Sequence, residues 1–111
     1  MTVERDGAEV MQVPVAIGKS GSPTPTGSFY LRDELEWDEA SVYGPYVLAL
    51  SAFSETIDRI NGGDAVVAIH GTRRPDLLGT AASLGCIRVE NDSIRAVAAV
   101  IEPGTPVEIV S

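Results

Sequence analysis

The stretch Ala65-Val66-Val67-Ala68-Ile69-His70-Gly71-Thr72 decides how the chain is read. Its first five residues are apolar and rich in β-branched side chains, and Asn61-Gly62-Gly63 supply a turn just ahead of them. A run of that length and composition predicts a central strand over Ala65–Ile69, because a helix usually needs about ten residues or more. Ile69 then delivers His70 to the end of that strand.

Working outward, Tyr46 to Leu50 reads as a second central strand behind Gly44-Pro45. Thr2 to Ile17 reads as a hairpin in which Asp6-Gly7 turns Thr2-Val3-Glu4 back onto an extended run from Glu9 to Ile17, with Pro14 making that run partly an edge. Gly18 to Gly27 is a loop, Ser28-Phe29-Tyr30-Leu31 alternates like a strand, and the acidic segment holding Trp37 is expected to be the next loop. Asn91 or Asp92 can cap a helix whose buried face is Ile94, Val97, Ala98 and Ile101, stopped by Pro103-Gly104. Val107 to Val110 closes the chain as a strand. The expectation is one domain over residues 1–111, mainly β with one or two short helices.

Eight basic against sixteen acidic residues give a net charge of -8. Such a chain repels phosphate backbones, which argues against nucleic-acid binding. The charge is uneven: Arg32 to Glu39 is acidic, whereas His70 to Arg88 carries Arg73, Arg74 and Arg88 against Asp76 alone. Anionic ligands favour the second stretch. No apolar run approaches the roughly 20 residues that span a bilayer, and Met1 to Asp6 lack the basic and apolar regions of a secretory signal. Cys86 and His70 are the single cysteine and the single histidine, so neither an internal disulfide nor a Cys/His zinc set can form, and no metal or cofactor is expected.

The chemistry concentrates in Ala68-Ile69-His70-Gly71-Thr72 and Ser83-Leu84-Gly85-Cys86-Ile87-Arg88. Fifteen residues separate the histidine from the cysteine. A strand end and a returning loop can bring the two together, as cysteine acyltransferases require. An unperturbed thiol is only about 3% thiolate at neutral pH, so a nearby imidazole that takes the proton, or a thiolate–imidazolium pair, would raise the nucleophile on the order of thirtyfold. Arg88 adds positive potential. Gly85 clears space before the sulfur for a carbonyl and its developing oxyanion, and Ser83 can fix the turn by a hydrogen bond. The less specific alternatives are an inert buried thiol and a structural histidine.

Together with Ser22-Pro23-Thr24-Pro25-Thr26-Gly27-Ser28-Phe29, Ile69-His70-Gly71-Thr72 and Ser83-Leu84-Gly85-Cys86-Ile87-Arg88 resemble the L,D-transpeptidase (YkuD) catalytic domain in order and spacing over roughly residues 10 to 111. The resemblance implies an L,D-transpeptidase-like β-sandwich or barrel, with part of an initial strand absent or outside the segment. It also implies a reaction: the cysteine attacks the carbonyl of the third residue of a peptidoglycan stem peptide, releases the terminal D-alanine, and passes the acyl group to an acceptor amine, forming a 3-3 cross-link. Carried over, Cys86 is the nucleophile and His70 the base, while Arg88, Gly71, Thr72, Ser83 and Gly85 contact substrate or shape the site. Peptidoglycan stems and carbapenem-type inhibitors are the implied partners, and a bacterial extracytoplasmic location follows from the substrate. One departure stands out: Leu84 occupies the place of the family's usual histidine before Gly-Cys. It motivates the alternative of a catalytically impaired peptidoglycan-binding domain.

Overall fold

β8 (Val66–His70) lies between two partners in a five-stranded sheet, and its alternation organises the molecule. The computed structural model describes residues 1–18, 20–21, 24–38, 43–53, 59–60, 63–64, 66–72, 75–83 and 86–110. Among these, the chain runs β1 (Thr2–Arg5), β2 (Ala8–Gln12), β3 (Ile17–Gly18), β4 (Gly27–Glu36), β5 (Tyr46–Phe53), β6 (Arg59–Ile60), β7 (Gly63–Asp64), β8, β9 (Ala81–Ser83), β10 (Ile87–Arg88), α1 (Asn91–Ala98) and β11 (Pro106–Ile109). The main sheet has the order β10-β8-β5-β4-β11. The fold is mainly β with one short α-helix and a 3-10 turn at Pro75–Leu77, as the sequence predicts.

β8 pairs with β5 in antiparallel fashion, Val47 opposite His70 and Leu48 opposite Ile69, and with β10 in parallel, Ile69 opposite Ile87 and His70 opposite Arg88. A parallel pair needs a crossover. Here the chain leaves at Gly71, passes through the 3-10 turn, and lays β9 beside β3 before returning. Side chains alternate across a pleated strand. Val67 and Ile69 therefore face the core with Leu31, Leu48, Leu50, Ile87 and Val89, closed by Ile94, Val97 and Ala98 of α1 and by Val3. Each fully buried aliphatic side chain of this kind contributes roughly 2 kcal/mol. Ala68 and His70 point to the other face.

Three sequence expectations need correction. The strand begun at Ser28 runs through the acidic segment to Glu36, so residues 32–36 are strand and not loop. β11 pairs only with Gly27 to Tyr30. Beyond Leu31 the strand is an edge, bulged between Leu31 and Asp33, and its polar sequence reflects solvent on its flank while pairing with β5 keeps it extended. The amino-terminal hairpin turns at Asp6 (φ 54°) and Gly7 (φ 80°), both left-handed as a two-residue hairpin turn requires, but β2 ends at Gln12. The chain rejoins other strands through Ala16, which bridges Arg88, and through β3.

The helix is shorter than expected and is capped differently. It ends at Ala98, leaving partly buried Ile101 outside it, and Glu90 is its N-cap residue with no side-chain capping bond. Among the described residues no helix is long and apolar enough to cross a membrane.

Candidate active site

The pairing of Arg88 with His70 places the chemistry-bearing residues on one side of the sheet. Ile87 is a core residue, so Arg88 after it and Cys86 before it lie on the face opposite the core, the face that His70 and Ala68 share. Cys86 lies near the backbone of Ala68, which with Arg88 acts to lower the thiol pKa, two residues before His70 on β8. The main chain between them is tied: the Val89 N–H donates to the His70 carbonyl at 2.9 Å, and Ala16 and Arg88 exchange backbone bonds of 2.9 and 2.8 Å.

His70 is only 6% exposed. Its Nδ1 lies 2.5 Å from the Gly71 carbonyl oxygen. A carbonyl cannot donate, so Nδ1 carries the hydrogen and Nε2 holds the lone pair. Tyr43 sets its ring edge-on to the imidazole, with centroids 5.3 Å apart and planes at 88°. The Tyr43 carbonyl also accepts the Gly71 N–H at 2.9 Å.

Burial lowers the His70 pKa, opposed by the Gly71 carbonyl and reinforced by the Arg88 charge. Burial raises the Cys86 pKa, against the Ala68 backbone bond and the same guanidinium. Both shifts favour an uncharged pair at rest, a protonated thiol with a neutral imidazole, over the thiolate–imidazolium alternative.

Ser83 is 1% exposed and donates its hydroxyl to the Cys86 carbonyl at 2.5 Å, fixing the turn as its sequence position suggests. Thr72 is also buried, and its N–H donates to Asn91 Oδ1 at 2.9 Å. Gly71 packs against Gly44, which adopts φ +68°, so neither has room for a side chain. Gly85, Leu84, Arg73 and Arg74 lie outside the described residues. The structure thus gathers Cys86, His70, Arg88, Gly71, Thr72 and Ser83 around the β8–β10 ends. Two further neighbours of the site, Tyr43 and Asn91, have no signature of that role in the sequence. Asn91 reads in the sequence as a helix cap and Tyr43 carries no signal at all, since they stand 21 and 27 residues from His70. Among the described residues no group of three or more His, Cys, Asp or Glu side chains could hold a metal ion.

A family profile for the L,D-transpeptidase catalytic domain, YkuD, matches residues 1–109. The YkuD protein of Bacillus subtilis (strain 168) is 31% identical over 109 residues, covering 98% of this chain and 58% of that protein. Among solved structures, L,D-transpeptidase 3 from Mycobacterium tuberculosis with a faropenem-derived adduct superposes with a TM-score of 0.74 at 18% identity, over 99% of this chain and 55% of that one. The LD transpeptidase LdtMt1 in complex with imipenem gives 0.72 at 22% identity, over 98% and 53%. The chain therefore spans little more than half the length of these relatives, and the two structures share its fold.

Proposed function

Since the chain belongs to the YkuD family of L,D-transpeptidase catalytic domains, we propose that it is a cysteine acyltransferase acting on peptidoglycan stem peptides, with Cys86 as nucleophile and His70 as general base. The observation that supports this most is the Arg88–His70 pairing, which runs the strand that follows Cys86 alongside the strand that ends in His70. His70 Nε2 takes the thiol proton as sulfur bonds to the carbonyl carbon of the third stem residue. Collapse of the tetrahedral intermediate breaks the bond to the terminal D-alanine, whose amine receives that proton. An acceptor amine then attacks the thioester, forms the 3-3 amide and returns the thiol. The unshifted alternative, a standing thiolate, is disfavoured by burial of both groups. Nucleophile formation on demand fits a site in which the base is already neutral and oriented.

Arg88, half-buried beside the pair, is assigned to the substrate carboxylate, since a guanidinium fork matches that group. Gly71, Thr72 and Ser83 shape the site through backbone contacts. Peptidoglycan as substrate places the domain outside the cytoplasmic membrane. A carbapenem is the direct probe, because one such compound, imipenem, is bound by a protein of this fold. Incubation with imipenem should add one acyl mass to the intact protein, and Cys86→Ala should abolish it. An adduct that survives Cys86→Ala, or none on the folded wild type, would remove the assignment. Turnover of a tetrapeptide stem separates transpeptidation from hydrolysis, and stem binding without a thioester would instead support the impaired domain that Leu84 suggests.

A further inference from the structure

α1 begins without a side-chain cap, and an asparagine stands at its first position. Glu90 holds the capping position, so Asn91 is the first residue inside the helix and its side chain is free to look outward. Asn91 turns its carboxamide oxygen to the Thr72 N–H, 2.9 Å away and 19 residues back in sequence. The same oxygen fills the space between two glycines. A Cβ on Gly44 would lie 2.5 Å from it and 2.7 Å from the Gly71 Cα, and a Cβ on Gly71 would collide with it outright.

These contacts converge on the two residues that follow His70. The Gly71 N–H is held by the Tyr43 carbonyl, the Thr72 N–H by Asn91, and the His70 carbonyl by the Val89 N–H. The Gly71 carbonyl is the acceptor for His70 Nδ1–H, so rotation of the Gly71–Thr72 peptide would carry away the group that orients the ring. That peptide is the one whose N–H Asn91 fixes.

We infer that Asn91 is a positioning residue whose carboxamide oxygen, by locking the Gly71–Thr72 peptide, holds the His70 imidazole in its orientation on the Cys86 face of the sheet. The first helical residue thus anchors the site loop through its carboxamide oxygen. The catalytic consequence presupposes the acyl transfer proposed above; the orientation of the ring does not.

His70 is the single histidine, so its ring protons can be followed by NMR without assignment ambiguity. In the wild type the Thr72 amide should exchange slowly with solvent. In Asn91→Ala the His70 titration should move upward toward the ordinary imidazole range as the ring loosens into water, and acylation by imipenem should slow on the order of 10- to 100-fold. Asn91→Asp keeps an acceptor oxygen and should restore a protected Thr72 amide and most of the acylation rate. A folded Asn91→Ala protein with an unchanged titration curve and an unchanged acylation rate would overturn the inference, as would a rapidly exchanging Thr72 amide in the wild type. Should Asn91→Ala fail to fold, Asn91→Asp and the amide exchange decide the matter. A wild type that imipenem does not acylate would sink the transferase assignment and leave the His70 titration to judge Asn91 separately.

Discussion

The Ser83 hydroxyl donates to the Cys86 carbonyl across a three-residue turn, at 2.5 Å and almost out of reach of water. The bond fixes the main chain that presents the sulfur without touching the sulfur itself. Ser83→Ala should cost on the order of 1 kcal/mol, read as a lower midpoint in urea unfolding, because a partly buried acceptor loses its partner. Imipenem acylation should fall about tenfold with the intact adduct mass unchanged. Equal rates in the two proteins would show that the turn holds without the hydroxyl.

Acylation should have an acid limb set by His70. Burial and Arg88 both depress that pKa, so the base stays unprotonated to lower pH than an ordinary imidazole would. The midpoint of the limb is expected below about 6.5. His70→Gln should lower the rate on the order of 100-fold or more and remove the limb. Rate measurements across the acid range check both points.

The same shift has a stability consequence whose sign can be worked out. Where the unfolded chain's histidine is protonated and the folded one is not, the unfolded state binds more protons, and stability falls as the pH falls. This loss begins near the unfolded imidazole value and continues to the lower folded one. His70→Gln should therefore lose less stability than the wild type between about pH 7 and pH 5. Parallel thermal unfolding curves for the two proteins over that range would contradict it.

Arg88 lowers the pKa of both His70 and Cys86. Arg88→Gln should raise both: the acid limb moves up, and the thiolate becomes harder to form. Arg88→Lys keeps the charge and loses the fork, so the limb should stay while stem-peptide KM rises. A lysine variant with wild-type KM would remove the forked contact with a carboxylate.

Gly44→Ala should destabilise by about 2 kcal/mol or more. A side chain at φ +68° carries a backbone penalty of roughly 1–2 kcal/mol, and its Cβ would also strike Asn91 and Gly71. Denaturant unfolding measures the sum. A change below about 0.5 kcal/mol would mean that the glycine pair separates easily.

The buried elements were legible in the sequence, and the site was legible where its residues were chemically rare. The strands expected at Ala65–Ile69 and Tyr46–Leu50 are visible in composition because Val67, Ile69, Leu48 and Leu50 are buried in the core. Arg32 to Glu36 escaped because an edge strand with solvent on its flank has no reason to alternate. The lone cysteine and histidine drew the reading to the candidate site because each is the single residue of its type. Asn91 and Tyr43 did not, since the Thr72 N–H and the His70 ring that engage them are tertiary neighbours, invisible to helix-capping rules or to local periodicity. Motif spacing placed His70 at its strand end, but only the pairing of β8 with β10 shows which face it shares with Arg88.

The alternation along β8 has a consequence for how this protein can change. Val67 and Ile69 belong to the core, whereas the buried His70 faces the other way, so a short peptide segment carries two different constraints at neighbouring positions. Slipping the strand by a single position would turn the imidazole into the core and two aliphatic groups onto the opposite face. A one-residue insertion before Ile69 would therefore reverse the faces of every residue beyond it and expel that side chain from the core.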